Sequence, residues 1–220
     1  MNMITRRRML MIHSSHGSVL PDEYQEVQWL RGTGTQYCET AFSPYYDSNT
    51  FIGISCDLTV LNFTTSEVRI DCRIPTNNQN YGFALSASGQ KNLTIRYPNS
   101  GTGFNLSSYD VPFDIHALLK QNICSVNNQI ESIEPVQFTT ADKILIGAYQ
   151  GTFGIVPWNT DTLIKKVTIY DNDDIVSEII PCTRKSDGKA GFYQTNVPTG
   201  YDNFIYNLGS GSDWLVGPNV

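Results

Sequence analysis

A strict alternation of apolar and polar side chains is the feature of this sequence that most limits what it can fold into. It is clearest in Glu67–Ile74, where the apolar set is Val68, Ile70, Cys72 and Ile74 and the charged set is Glu67, Arg69, Asp71 and Arg73. Successive side chains of a β-strand point to opposite faces of a sheet. The pattern therefore predicts a strand with one face in the core and a solvated ladder of charges on the other, as is typical of antiparallel sheets.

The alternation recurs along much of the chain. In residues 51–60 and 81–85 the apolar positions are Ile52, Ile54, Cys56, Leu58, Val60, Tyr81, Phe83 and Leu85. Ile, Val and Thr total 53 residues while Ala and Leu total 21, a balance that favours strands over helices. The sequence therefore predicts an all-β fold: an antiparallel two-sheet β-sandwich over residues 21–220, preceded by an extended N-terminal arm of residues 1–20.

Two hairpins can be placed from their turn residues. Asn127 and Asn128 predict a tight turn within residues 123–133, because Asn tolerates the positive φ that such turns require. Residues 171–174 predict a second turn, between strands that occupy residues 164–180. We expect Pro181 to end the second of these strands, because proline cannot donate a backbone hydrogen bond.

The distribution of charge limits the partners. The net charge is −6, yet Arg6, Arg7 and Arg8 precede the first acidic residue, so residues 21–220 hold 12 Lys and Arg against 21 Asp and Glu. Such an acidic body repels phosphate backbones, which argues against nucleic acid as a partner. No apolar run reaches the roughly 18 residues of a membrane span. The apolar stretch after the arginines is too short for a signal peptide, so we expect synthesis in the cytoplasm.

Five cysteines are widely spaced along the chain: Cys38, Cys56, Cys72, Cys124 and Cys182. Their odd number and the absence of any Cys-x-x-Cys motif fit neither a zinc site nor a disulfide framework. We expect free thiols that pack as small hydrophobic residues in a reducing place of synthesis.

Two longer motifs resemble a known family. The first is LPDEYQEVQWL at residues 20–30 with GTGTQY at residues 32–37, and the second runs from KKVTIYD at residues 165–171 to IPC at residues 180–182. Both resemble the laminin-G-like, concanavalin A-like lectin domains of phage and prophage virion structural proteins. The glycine-rich ending at residues 209–220 is similar to that of the family as well. The resemblance covers residues 20–220 and implies a concanavalin A-like jelly roll.

The resemblance implies a role on the surface of a virion. We expect a non-enzymatic structural protein of a tailed phage, made in the host cytoplasm and placed on the head or tail as a fibre or capsid decoration. The basic arm would anchor it to other virion proteins through Arg6, Arg7, Arg8, Met9 and Leu10, and symmetric attachment favours a homo-oligomer, with a trimer expected. Two alternatives stay open, because this fold carries unrelated functions. They are a secreted or surface carbohydrate-binding adhesion domain and a degenerate glucanase.

Aromatic and hydrogen-bonding side chains lie in a predicted loop after Ile146, and glycan binding requires both kinds. The expected ligand-binding residues are Tyr149, Gln150, Trp158, Asn159 and Asp161, with Phe153 beside them. In the alternative reading, Phe153 and Trp158 fold back as a lid over the end of the sandwich. Tyr45 and Tyr46 form a second, weaker aromatic cluster.

The sequence predicts no catalytic residues. On one face of a strand, Glu67 and Asp71 would stand about 13 Å apart, beyond the roughly 5 to 9.5 Å that separates glycosidase carboxylates. The concanavalin A-like glucanases carry a Glu-x-Asp-x-x-Glu cluster, and this chain has no such motif. His116 lies within a predicted strand, so we assign it a structural or cross-strand role rather than a place in a catalytic triad.

No cofactor is expected, and calcium is the alternative. Asp171, Asp173 and Asp174 could supply the hard oxygen ligands that calcium prefers, although Asp and Asn are common in turns that bind no ion. His13 and His16 have the spacing of helical metal ligands but lie in no predicted helix. The sequence therefore favours a site without metal.

Overall fold

The structure, a computed structural model, describes residues 20–47, 50–74, 79–86, 91–98, 100–134 and 136–220. Every regular element in these ranges is a strand. Nineteen strands form one almost wholly antiparallel sheet that is nearly closed, and two more form a small second sheet. The prediction of an all-β, sandwich-type fold is confirmed. Within the described ranges there is no helix long and apolar enough to cross a membrane.

The strands are numbered in chain order. The first eleven are β1 (Tyr24–Glu26), β2 (Leu30–Thr33), β3 (Cys38–Glu39), β4 (Tyr45–Tyr46), β5 (Ile52–Val60), β6 (Glu67–Ile74), β7 (Gln79–Ser86), β8 (Asn92–Tyr97), β9 (Ser100–Asn105), β10 (Phe113–Lys120) and β11 (Ile123–Val126). The other ten are β12 (Gln129–Ser132), β13 (Phe138–Thr139), β14 (Leu145–Ile146), β15 (Ala148–Gly151), β16 (Gly154–Pro157), β17 (Asn159–Asp171), β18 (Asp174–Arg184), β19 (Ala190–Gln194), β20 (Phe204–Tyr206) and β21 (Leu215–Val216).

One layer of the sandwich is centred on β5, which pairs with β10 on one side and with β17 on the other. The layer continues from β10 through β11 to β12, and from β17 through β18 and β19 to β20. At the two predicted turns, Asn127 and Asn172 have φ values of +52° and +55°. Both hairpins are therefore confirmed, with asparagine in the left-handed conformation that tight turns require.

The second layer is the meander β6–β7–β8–β9. The free edge of β6 pairs with the first residues of β17 at one end and with β14 at the other. β17 passes from this layer to the first, because Asn159 and Thr160 pair with β6 whereas later residues pair with β5. Between its pairings with β14 and β17, β6 pairs in parallel with β15, Ile70 opposite Ala148, and the candidate site begins there.

The inward faces of the two layers form the core. The apolar sets predicted for β5, β6 and β7 are all buried, which confirms the alternation. Each large apolar side chain contributes about 1.5 to 3 kcal/mol when fully buried, so this pattern is the main support of the fold. All five cysteines are buried free thiols, as expected of small hydrophobic residues. Burial raises the pKa of the Cys38 and Cys56 thiols well above the ordinary value.

Pro181 does not end its strand, contrary to the prediction. β18 continues through it to Arg184, and Pro181 lies opposite Phe192 of β19. Its carbonyl accepts a hydrogen bond from the Val27 amide (3.1 Å), one residue past the end of β1. Pro181 has no N–H to donate on the side of β18 that faces β1. The pairing with β1 stops at this point, and the end of a pairing is where a sheet tolerates proline.

Candidate functional site

A hairpin formed by β15 and β16, the site hairpin (residues 148–157), leaves the edge of β6 between the pairings of β6 with β14 and β17. Gly147 precedes it with φ +84°, and a Cβ there would lie 2.9 Å from the Gln36 carbonyl oxygen, so this departure requires glycine. The Gly147 amide donates to the Arg69 carbonyl (2.7 Å), and the Arg69 amide donates to the Trp158 carbonyl (3.0 Å). These two bonds fasten both ends of the hairpin to β6.

A cleft of about 430 Å³, the hairpin cleft, lies against the site hairpin. It is lined by residues 149–156 and by Asn80 of β7. The ring of Phe153 is fully exposed at the hairpin tip (103%). Asn80, Gln150 and Thr152 add amide and hydroxyl groups to the same cleft. An apolar surface next to a few hydrogen-bonding groups is the usual composition of a small-molecule site.

Arg69 supports the base of the site hairpin. Its guanidinium carbon lies 4.1 Å from the ring centroid of Tyr149 and 5.0 Å from that of Trp158. The two rings meet at 65° with their centroids 5.9 Å apart. A cation–π contact of a largely desolvated arginine contributes about 1 to 2 kcal/mol. The Arg69 side chain, only 13% exposed, therefore fixes both aromatic residues on the outward face of β6.

Asp71 lies two residues farther along the same face and is completely buried. Its Oδ2 is 3.6 Å from Arg69 Nη1, and neither carboxylate oxygen has a hydrogen-bond partner among the residues that the structure describes. Burial raises the pKa of Asp71 to about 7, although the charges of Arg69 and Arg96 act to lower it. This carboxyl therefore changes its charge near neutral pH.

The solvated charge ladder predicted for the outward face of β6 was wrong for two of its members. The alternation itself is correct, and Glu67 and Arg73 are partly exposed. Arg69, however, is covered by Tyr149 and Trp158 of a distant segment, and Asp71 is completely buried. Periodicity tells which face a side chain takes but not what packs on that face.

Three of the five predicted ligand residues lie together. Tyr149 and Gln150 line the hairpin cleft, and Trp158 stands at the base of the hairpin against Arg69. The segment that carries them is a hairpin and not the loop that the sequence indicated, and Trp158 joins β16 to β17. The lid alternative is wrong for Phe153, which is fully exposed, whereas Trp158 does fold back and cover Arg69.

Asn159 and Asp161 do not belong to the cleft. Asn159 is completely buried, and its side chain fills the space that glycine leaves at Gly32 and Gly147. Asp161 accepts a hydrogen bond from the Thr65 hydroxyl (2.6 Å) and does not line the cleft. Asn159 is therefore closed to a ligand and Asp161 lies outside the hairpin cleft, so their prediction as ligand residues of this cleft was wrong.

Arg69 and Asn80 are parts of the site that the sequence did not predict. The signal available for Arg69 was the charged face of β6, but its partner Tyr149 lies far away in the sequence. Asn80 carried no signal of its own, since amides are common on exposed strands. The second aromatic cluster is partly internal, since Tyr46 is buried and packs against Tyr97 with ring centroids 6.5 Å apart.

His116 has the cross-strand role that was expected. Its Nδ1 lies 2.7 Å from Oδ1 of Asp57 on the paired strand β5. At the proposed calcium turn, Asp173 forms an ion pair with Lys120 (3.0 Å) and Asp171 accepts a hydrogen bond from Asn172 (3.1 Å). In the described part of the chain, no group of three or more His, Cys, Asp or Glu residues is placed to hold a metal ion.

The predicted anchoring residues, Arg6, Arg7, Arg8, Met9 and Leu10, lie outside the described residues, as do His13 and His16. No family model matches the sequence, and neither a curated protein nor a solved structure is similar to it.

Proposed function

We propose that this protein is a non-enzymatic structural protein of the phage virion surface that binds host-surface or mucus glycans in the hairpin cleft. The observation that carries the binding role is the fully exposed ring of Phe153 beside the amides of Asn80 and Gln150. A pyranose ring has an apolar C–H face and a rim of hydroxyl groups. The C–H face would stack on Phe153 while the hydroxyls bond to the two amides.

The size and charge of the hairpin cleft fit an uncharged saccharide. Its volume of about 430 Å³ accommodates one or two sugar rings. The lining residues that the structure describes include no Asp, Glu, Lys or Arg. Hydrolysis of a glycosidic bond requires two carboxyl groups that flank it, so this lining supports binding without cleavage. The lining therefore favours a lectin over a glucanase that cleaves its ligand.

The support beneath the cleft favours binding as well. The contacts of Arg69 with Tyr149 and Trp158 hold the site hairpin in one orientation before a ligand arrives. Preorganisation of this kind lowers the entropic cost of binding. A single small cleft still gives only modest affinity, so adhesion would depend on many copies displayed together, since tethering raises the effective concentration.

The virion assignment rests on the resemblance of residues 20–37 and 165–185 to phage structural proteins. A secreted or surface adhesion domain would use the same cleft chemistry, so the two functions differ in location and not in ligand. The basic arm separates them, since Arg6, Arg7 and Arg8 would attach the protein to the virion shell in the first case only.

A glycan array tests the binding function. Labelled full-length protein is applied next to two variants, Phe153→Ala and Ile130→Ala. Ile130 is also an exposed apolar residue (69%), but it lies on β12 and not in the cleft, so it is a matched control. We expect the parent protein and Ile130→Ala to retain the same glycans and Phe153→Ala to lose them. Equal retention by Phe153→Ala, or no retention by any protein, would refute the proposal.

Co-sedimentation with phage particles that lack this protein tests the virion function. The full chain is compared with a variant in which Arg6, Arg7 and Arg8 are replaced by alanine, and Lys185→Ala is the control because Lys185 is an exposed cation within the sandwich. We expect the triple variant to stay in the supernatant while the control sediments. If the parent protein itself does not sediment, the adhesion-domain alternative takes precedence.

A further inference from the structure

A second cleft, of about 340 Å³, lies where β1, β18, β19 and β20 meet. Four aromatic residues form part of its lining: Tyr24, Tyr193, Phe204 and Tyr206. We call it the aromatic cleft. It shares no lining residue with the hairpin cleft and is built on different strands. Nothing in the sequence motifs marked it, because its residues come from both ends of the chain.

Strand pairing holds the aromatic rings together. Tyr193 lies directly opposite Phe204 in the β19–β20 register. The Tyr24 ring centroid is 5.1 Å from that of Tyr193 and 5.2 Å from that of Phe204, and the centroids of Phe204 and Tyr206 are 6.3 Å apart. Phe204 is buried and forms the base of the cleft, whereas Tyr206 is 39% exposed. The rings thus present a fixed apolar surface to a ligand.

Hydrogen-bonding groups lie along the same cleft. Glu23 and Asp202 contribute exposed carboxylates, and Asn203 contributes an amide that is oriented by its hydrogen bond to the Gln194 carbonyl (2.7 Å). Burial and the nearby Glu23 carboxylate raise the pKa of Tyr24, so its hydroxyl remains a donor at neutral pH. The cleft therefore offers acceptors and donors beside an aromatic surface.

The charges around the aromatic cleft nearly cancel. Arg184 lies over the Phe204 ring, 5.1 Å from its centroid, and its guanidinium forms two hydrogen bonds with the Asp187 carboxylate. Lys189 Nζ lies over the Tyr206 ring, 3.7 Å from its centroid. An anionic ligand would be repelled by the carboxylates of the cleft, and a cationic ligand would compete with Arg184 and Lys189 for the ring faces. A neutral molecule with many hydroxyl groups is repelled by neither the carboxylates nor the two cations.

We propose that the aromatic cleft is a second binding site, and that it takes one uncharged hexopyranose ring stacked on Tyr24 and Tyr206 with its hydroxyls bonded to Glu23 and Asp202. This site is independent of the hairpin cleft and stands even if that cleft binds nothing. If both sites bind, one chain engages a branched or repeating glycan at two points, and the gain in avidity adds to that from multiple copies.

Titration of ¹⁵N-labelled full-length protein, followed by amide chemical shifts, tests this site. The probes are D-glucose, D-galactose, D-mannose and N-acetyl-D-glucosamine, with D-glucuronate as the charged comparison. We expect at least one neutral sugar to cause saturable shifts around residues 202–206, and glucuronate to bind more weakly. In Tyr206→Ala the affinity should fall about tenfold or more, as is common when a stacking aromatic side chain is removed.

Two further variants make the outcome decisive. Phe153→Ala removes the exposed ring of the hairpin cleft and should leave the shifts at the aromatic cleft unchanged. The variant therefore shows whether a loss of sugar binding arises at the hairpin cleft or at the aromatic cleft. Glu23→Gln keeps the size of the side chain and should also weaken the sugar, so the test does not depend on the folding of Tyr206→Ala. The proposal is overturned if none of the four neutral sugars causes shifts there, if Tyr206→Ala and Glu23→Gln both bind the sugar as the parent does, or if glucuronate binds more tightly than the neutral sugars.

Discussion

Arg69 and Tyr149 are joined by a cation–π contact in which the guanidinium carbon lies 4.1 Å from the ring centroid. On the same guanidinium, Nη1 is 3.6 Å from the carboxylate of Asp71. One side chain thus connects a buried charge to the aromatic base of the site hairpin. The charge state of Asp71, the position of Arg69 and the orientation of the hairpin therefore depend on one another.

Replacing Arg69 by methionine tests the contribution of this connection to stability. Methionine keeps most of the apolar length but leaves the Asp71 carboxylate buried with Arg96 as its remaining cationic neighbour. Breaking a buried ion pair in this way costs about 3 kcal/mol. We expect that loss in urea denaturation above neutral pH, where Asp71 is ionised. The double variant Arg69→Met with Asp71→Asn should recover much of the lost stability. If Arg69→Met alone is as stable as the parent, Arg69 does not stabilise the buried Asp71 carboxylate.

Asp71 also makes the free energy of unfolding depend on pH. Burial raises its folded-state pKa to about 7, above the value in the unfolded chain, so the folded state binds the proton first as the pH falls. Its contribution to stability is therefore full at low pH and is lost as the pH rises through the folded pKa. Each unit of difference between the folded and unfolded pKa corresponds to about 1.4 kcal/mol, so Asp71 contributes at most a few kcal/mol to the free energy of unfolding.

Urea denaturation at a series of pH values measures this effect. Between about pH 8 and about pH 5 the parent protein should gain stability from Asp71, and Asp71→Asn should lack that part of the gain. The difference between the two proteins isolates Asp71 from the other carboxyl groups. Asp187 acts in the opposite direction, since its hydrogen bonds from Arg184 lower its pKa to about 2. Identical pH profiles for the parent and Asp71→Asn would show that Asp71 does not titrate in this range.

The strands were predictable because their signals are local. The alternation in Glu67–Ile74 and the Asn127 turn each depend on a few consecutive residues, and the structure confirms both. The sequence predicts a loop at the site hairpin because Gly154 and Pro157 interrupt its apolar pattern. Its attachment to β6 depends on hydrogen bonds between segments far apart in the sequence, and no local pattern reports those.

The assignment of Asn159 to the ligand site was wrong for a related reason. Asn159 follows Trp158 directly, and consecutive residues of an extended chain point to opposite sides. With Trp158 on the outward face against Arg69, Asn159 points inward and is buried. Composition alone placed both residues in one ligand site. The alternation that identified the core strands would have separated them if the segment had been read as a strand.

Trp158 and Phe153 should differ in what their loss does. Trp158 is partly buried against Arg69 and Tyr149, so Trp158→Ala should lower the free energy of unfolding by about 1 to 2 kcal/mol, through the lost cation–π contact and packing. Phe153 is fully exposed, and Phe153→Ala should change stability by less than about 0.5 kcal/mol. Urea denaturation gives both values. A Trp158→Ala variant as stable as the parent would show that the stack on Arg69 does not support the hairpin.

Gly82 is the position on β7 where a side chain should be least tolerated. Its φ is +138°, and a Cβ would lie 2.2 Å from the Ile70 carbonyl oxygen and 2.8 Å from the Asp71 Cβ. Neither atom can move away by a side-chain rotation, because one belongs to the backbone and the other is bonded directly to it. Gly82→Ala should therefore push β6 and β7 apart and cost about 3 kcal/mol or more, given the backbone strain and the overpacking.

Gly101 provides the matched control for this substitution, because Gly82 and Gly101 both lie directly opposite Arg96, one on each side of β8. A Cβ at Gly101 would have its nearest neighbours at 3.5 Å, which is ordinary contact, so Gly101→Ala should change stability by less than about 1 kcal/mol. Thermal unfolding of the two variants measures the difference. If Gly82→Ala unfolds at the same temperature as Gly101→Ala, β6 and β7 can separate at little cost. The backbone would then not enforce the burial of Asp71.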